Sequence, residues 1–224
     1  MTVTLQDAAK ARAHMVDSQV RPNQVNDTRI IGAMLRLPRE AFAPPGARVY
    51  ADADIDLGGG RFLLAPLTIA RLAQLVLSNQ PKTILVIGAG AGYGAALLAA
   101  SGAAVTALES EPRLDTGALA ACAPEVRRLH GRLAAGDPGS APYDAVLIEG
   151  AVAKIPDSLA PQLAPGGRLV TILAESPGRA ALGVAAFGRA VLAETRSRGF
   201  ATVAKFDATA RIIPEFMPAS EFVF

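Results

Sequence analysis

Five residues between two apolar runs carry the first chemical signal. Gly88-Ala89-Gly90-Ala91-Gly92 follows Thr83-Ile84-Leu85-Val86-Ile87 and precedes an Ala/Leu stretch that starts at Tyr93. Glycine accepts positive φ and lets the backbone approach a ligand closely. The free N–H groups of a helix start lie just beyond the turn. Glu109 closes the next apolar run, about 21 residues after Gly88, where a carboxylate can accept both ribose hydroxyls of an adenosine. A glycine turn with an acidic strand end therefore points to an adenosine-containing cofactor. The dinucleotide pattern G-x-G-x-x-G is met only in its permissive form, at Gly90, Gly92 and Ala95. Some 80 residues precede the turn, whereas a dinucleotide fold usually opens with it. A methionine-sulfonium cofactor, which has no pyrophosphate to cradle, fits that placement better.

The elements that must position these groups can be read along the chain. Residues 5–20 are free of Pro and Gly and predict a helix. Asp27 is an N-cap for a second helix, in which Ile30, Ala33, Met34 and Leu37 follow the i, i+3, i+4, i+7 rule until Pro38 stops it. Residues 44–66 predict an irregular segment, punctuated by Pro44, Pro45, Gly58, Gly59 and Gly60, so the first 80 residues are expected to hold no sheet. Pro66 suits the first turn of a helix running to about Ser78. From Thr83 the pattern changes to strands at Thr83 to Ile87, Val105 to Glu109, Val126 to Leu129, Tyr143 to Glu149 and Arg168 to Leu173. Helices are expected at Tyr93 to Ser101, Leu114 to Cys122 and Ile155 to Leu163, with a turn at Pro165-Gly166-Gly167. That alternation predicts an α/β fold with a doubly wound, mostly parallel sheet. Ala190 to Arg196 and Phe200 to Phe206 predict an antiparallel hairpin at its edge.

Composition narrows the class. The chain has 224 residues, 51% hydrophobic and 19% charged, with mean hydropathy +0.31. That excludes a disordered chain and leads us to expect one domain over 1–224, residues 1–80 forming N-terminal helices and an irregular segment, which the resemblance given below implies is a substrate loop, and 81–224 the cofactor sheet. The 22 Lys and Arg balance 20 Asp and Glu with no basic cluster, so neither nucleic acid nor a membrane surface is expected as a partner. Cys122, His14 and His130 offer no metal set, and no metal is expected. With no signal-peptide pattern at Met1 to Lys10 and no span-length apolar run, a cytoplasmic protein is expected.

At this point the chain resembles a known family. Ile84 to Gly94 (ILVIGAGAGYG) is similar to the cofactor loop of class I S-adenosylmethionine (AdoMet) methyltransferases. More narrowly, the chain resembles the protein-L-isoaspartate O-methyltransferases over most of its length. The matching pieces are Met15 to Val20, Asp27, Ala33-Met34, Pro38-Arg39-Glu40-Ala41-Phe42, Tyr50 to Pro66, Gly92-Tyr93, Ala141-Pro142-Tyr143-Asp144 and Leu163 to Val170. The resemblance implies the class I methyltransferase fold with an N-terminal helical extension and a C-terminal antiparallel hairpin. It implies AdoMet as cofactor, held by Gly88, Ala89, Gly90, Gly92, Tyr93, Glu109, Ser110 and Gly131. It implies methyl transfer to the α-carboxyl of an isoaspartyl residue in a protein or peptide, or to another small carboxylate.

Two stretches depart from the family pattern. The family's active-site segment reads roughly Gly-x-Gly-Gln-Thr-Ile-Ser-x-Pro; here Phe62 takes the threonine position and Leu64 the serine position. After the third strand the family shows Gly-Asp-Gly, while this chain reads His130-Gly131-Arg132. Arg61, within the departing segment, is a candidate partner for a carboxylate substrate or a solvated loop arginine. Glu149 ends the fourth strand and is a candidate base or ligand contact, or else a strand-end carboxylate in solvent. Tyr93 is expected to pack beside the cofactor and Asp144 to pair locally. An acceptor other than isoaspartate, or a silent AdoMet-binding protein, stays open.

Overall fold

The structure is a computed structural model that describes residues 5–175, 185–197 and 199–217. The Phe222-Val223-Phe224 end and Arg198 of the expected hairpin turn lie outside them. Seven strands form the central sheet: β3 (Thr83–Ile87), β4 (Ala104–Glu109), β5 (Arg127–His130), β6 (Tyr143–Val152), β7 (Leu163–Ala174), β8 (Ala186–Thr195) and β9 (Phe200–Ala210). Their order is β5-β4-β3-β6-β7-β8-β9. The first five pair in parallel, and β8 runs antiparallel to both neighbours. Strand order reverses at β3, which pairs with β4 on one side and β6 on the other. Open α/β sheets bind ligands outside the carboxyl ends of the strands at such a reversal. There the glycine turn and Glu109 meet.

The middle strand is apolar on both faces because helices cover both. Ile84, Leu85, Val86 and Ile87 are fully buried, each worth about 1.5–3 kcal/mol of transfer free energy. Asp144 fixes where β3 and β6 begin: its Oδ2 accepts from the N–H groups of Lys82 (2.8 Å) and Thr83 (3.0 Å). The pairing expected of Asp144 is thus local.

The N-terminal helices pack beside the sheet. α1 (Leu5–Met15) passes into a wider helical turn at Val16–Val20, shorter as an α-helix than expected. α2 (Thr28–Arg36) is capped by Asp27, whose Oδ1 accepts from the Arg29 N–H at 2.9 Å. α3 (Pro66–Leu77) starts on its proline. Between them the expectation of no sheet fails: β1 (Ile55–Gly58) and β2 (Arg61–Leu63) form a two-stranded hairpin. Gly58, Gly59 and Gly60 all have positive φ, +84°, +61° and +72°, so the glycines close a turn.

Other boundaries move. α4 (Tyr93–Ala99) is buried along its whole length. α5 is only Ala118–Cys122, because Gly117, at φ +80°, delays its start past Leu114. The expected helix at Ile155 to Leu163 is a 3-10 stretch at Asp157–Gln162 with Pro161 inside. The Pro165-Gly166-Gly167 turn sits inside β7 as an irregularity in its pairing with β6. The C-terminal hairpin is longer than expected, ten residues in β8 and eleven in β9. β6 also runs past Glu149, and the chain after β9 pairs with that extension: Ala151 N–H donates to Arg211 O (3.1 Å) and Ile213 N–H to Ala151 O (3.0 Å). This brings residues 211–217 across the end of the sheet.

Candidate functional site

Gly88, Gly90 and Gly92 adopt φ of +70°, +57° and +97°, a conformation that costs other L-residues about 1–2 kcal/mol. A Cβ at Gly92 would stand 2.7 Å from Leu119, so close packing against α5 fixes that glycine. The N–H groups of Gly88 and Ala89 donate to Leu108 O, at 3.0 and 3.2 Å, which ties the turn to the end of β4. Gly131 N–H and His130 Nδ1 both reach Glu109 O, at 3.0 and 2.9 Å, and tie the end of β5 to the same point.

Glu109 is the centre of this site. Its Oε1 accepts from the Ser110 N–H (2.7 Å) and the Glu111 N–H (3.0 Å), and its Oε2 from the Gly90 N–H (2.8 Å). Backbone donors from two turns thus hold the carboxylate at the crevice. Beside it lies a cavity of about 580 Å³, walled by Gly90, Glu109, Glu111 and His130 over a floor that includes Ala107 and Leu119. Its size is within the usual range for small-ligand sites.

Arg61 is not a solvated loop arginine. Its side chain is 4% exposed. The Nε donates to both Glu109 oxygens, at 3.0 and 3.2 Å, and Nη2 reaches Ser110 Oγ at 2.8 Å and Glu215 at 3.2 Å. Glu215 belongs to the turn after β9. It also accepts from Ser110 Oγ and, at 3.0 Å, from the Leu133 N–H. Sequence reading missed Glu215; an acid so far along the chain carries no local pattern that would link it to Arg61. Nearby, Ile213 lies over the glycine turn, where a Cβ at Gly88 would stand 2.9 Å from it.

Glu149 is not in solvent either. It lies within β6, one residue past the last pair with β3, and is buried. The carboxyl group packs against the start of α4, its Cδ 2.7 Å from where a Gly94 Cβ would be. Burial pushes its pKa up to about 8, with Glu109 raising it further and the Arg39 charge opposing both. Its Oε2 has no hydrogen-bond partner. Arg39, fully buried, lies over the Tyr93 ring with 4.8 Å to the centroid. Its Nε donates to Val49 O at 2.7 Å and its Nη2 to the carbonyl of Leu64. Arg39 Nη1 and Tyr93 Oη are likewise buried without partners. Tyr93 is buried, its ring edge-on to Phe42 at 5.5 Å between centroids. Sequence reading placed Arg39 in the Pro38 to Phe42 match without singling it out, because the adjacent Glu40 makes it read as one of a charged pair.

The side chain of Leu64 is 1% exposed and belongs to the core, so it does not face the glycine turn's cavity. A second cavity of about 580 Å³ lies against the hairpin between Asp54, Phe62, Arg71, Phe206 and Arg211. Arg211 stacks over Phe62 at 4.7 Å and Arg71 over Phe206 at 3.7 Å. Asp54 Oδ1 holds the Ala65 N–H at 2.7 Å, and burial raises the Asp54 pKa. Among the described residues no group of His, Cys, Asp and Glu could hold a metal ion, and no helix is long and apolar enough to cross a membrane.

Comparison with known proteins places the fold and the family. A solved structure of a candidate protein-L-isoaspartate O-methyltransferase from Plasmodium falciparum, in complex with S-adenosyl-L-homocysteine, superposes with a TM-score of 0.74 at 15% identity, covering 91% of this chain and 98% of that one. A second structure, of a protein-L-isoaspartate O-methyltransferase, gives 0.71 at 21% identity over 91% of this chain and 64% of that one. At such identities these two establish the fold alone. A protein-L-isoaspartate O-methyltransferase of Methylorubrum populi is 38% identical over 165 residues, 71% of this chain and 78% of the relative. One from Methylorubrum extorquens is 35% identical over 188 residues, 82% of each. Residues 10–182 match the family described as protein-L-isoaspartate(D-aspartate) O-methyltransferase, and the chain belongs to that family.

Proposed function

We propose that the protein methylates the α-carboxyl of isoaspartyl residues in proteins and peptides, with AdoMet as methyl donor. The observation that carries this reading is the Glu109 carboxylate, held by three backbone N–H groups beside the glycine turn in a protein of this family. The residues present fit the cofactor: a strand-end carboxylate for ribose hydroxyls, a turn of positive-φ glycines, and an adjoining cavity with an apolar floor. When bound, AdoMet supplies an electrophilic methyl on a sulfonium.

The chain's task is then positioning and exclusion of water, because a carboxylate is already a nucleophile at neutral pH. Glu109 and Gly90 would hold the nucleoside, with Gly88, Ala89, Gly92 and Gly131 shaping the backbone around it. The Ser110 hydroxyl, beside Glu109, donates to Glu215. Ile213 packs against Gly88 and leaves no room for a side chain there. We assign Glu149 a positioning role and not that of a base. With a pKa near 8 it is protonated at neutral pH, and a neutral carboxyl group donates a hydrogen bond without repelling an anionic acceptor. Leu64, at the family's serine position, contributes packing. The cavity beside Phe62, with Arg71 and Arg211 among its walls, is our candidate groove for the acceptor chain.

Incubation with labelled AdoMet and an isoaspartyl peptide, alongside its aspartyl twin, tests the reading. Base-labile label on the isoaspartyl peptide alone is expected. Label on neither peptide, from protein that binds the cofactor, favours another acceptor.

A further inference from the structure

We propose that Arg61 is an internal competitor for the cofactor's ribose. Its guanidinium takes the Glu109 carboxylate in the ligand-free protein, and the nucleoside binds by displacing it. This rests on the assignment of Glu109 as the ribose acceptor.

The Glu109 oxygens accept from the N–H groups of Gly90, Ser110 and Glu111, which are fixed by the turn and by the end of β4, and Oε1 also accepts from the Ser110 hydroxyl at 3.4 Å. The Arg61 Nε spans both oxygens. Two ribose hydroxyls, one to each oxygen, have to take the place that it holds. Arg61 comes from a different element, β2, and is the donor that can leave. It sits directly after three positive-φ glycines, in a hairpin held by few strand pairs, so a small rotation moves the guanidinium. Displacement does not strand the cation in an apolar place, since Glu215 already accepts from its Nη2. The buried ion pair nevertheless has to be broken, and removing one partner of such a pair is costly. That cost is subtracted from cofactor affinity.

Calorimetric titration of S-adenosylhomocysteine into the full chain, into Arg61→Gln and into Arg61→Lys tests this, with the thermal midpoint of each ligand-free protein recorded. The expected result is an affinity about tenfold tighter in Arg61→Gln, or 1.4 kcal/mol. Arg61→Lys, which keeps the charge but loses the planar fork, should tighten less and covers the case in which the glutamine variant does not fold. Unchanged or weaker binding in the folded variants overturns the inference and leaves the cofactor reading standing. No binding in wild type or either variant overturns the cofactor reading, and the inference with it.

Discussion

A carboxylate at the end of a strand becomes a ligand site when its own chain holds it still, and Glu109 is held by donors from the glycine turn and from the residues that follow it. Its contribution is best measured where Arg61 no longer competes. In an Arg61→Gln background, Glu109→Ala should weaken S-adenosylhomocysteine binding by roughly 1.5–3 kcal/mol, as for loss of hydrogen bonds to a charged group; equal affinity in the two proteins would remove the ribose assignment. Leu64 behaves differently from the serine whose position it holds. Its side chain is core, so Leu64→Ser opens a small cavity and buries a hydroxyl without an assigned partner. A loss of about 2–4 kcal/mol in chemical unfolding is expected, and a loss under 1 kcal/mol would show that the segment turns to expose that side chain. Glu109 was legible from its distance to the glycine turn. Its ion pair with Arg61 was not, because the two lie on elements whose contact is set by tertiary packing.

The hairpin and the turn after β9 form one clasp over the crevice. Arg61 and Glu215 join them electrostatically, and the turn at Gly60 joins them sterically. A Cβ at Gly60 would stand 2.9 Å from Pro214 Cδ, whereas one at Gly58 meets nothing within 4 Å. Both glycines have positive φ. Gly58→Ala should therefore cost about 1 kcal/mol of backbone strain, and Gly60→Ala about 1–3 kcal/mol more for overpacking. Equal losses for the two in thermal unfolding would mean that the clasp is not packed as described. The hairpin escaped sequence reading because Ile55–Gly58 and Arg61–Leu63 are short and the glycines between them read as loop. The parallel strands were legible because burial on both faces writes an unbroken apolar run. The helices at Leu114 and Ile155 were overextended because Gly117 and Pro161 shorten them.

At the scale of the whole molecule, the buried Glu149 makes stability depend on pH. Unfolded, it titrates near 4.3; folded, near 8. Between these values the folded state holds a proton that the unfolded state has released, so stability falls as pH rises from about 4 to 8 and levels off above. Glu149→Gln removes that slope. Relative to wild type, the variant should gain on the order of 3 kcal/mol between pH 5 and pH 8, read from urea unfolding at the two values. Parallel curves would place Glu149 in a solvated setting. The doubly wound sheet was evident from alternating strands and helices, and the position of its order reversal put the crevice where the glycine turn is. The pairing of residues 211–213 with the end of β6 was hidden, because it depends on a strand extension that sequence periodicity ends at Glu149.

The most direct measurement is a crystal structure of the protein with S-adenosylhomocysteine bound. Both ribose hydroxyls are expected within hydrogen-bonding distance of the Glu109 oxygens, the base in the cavity beside His130, and the Arg61 guanidinium withdrawn toward Glu215. A nucleoside bound elsewhere, with Arg61 still on both Glu109 oxygens, would contradict it.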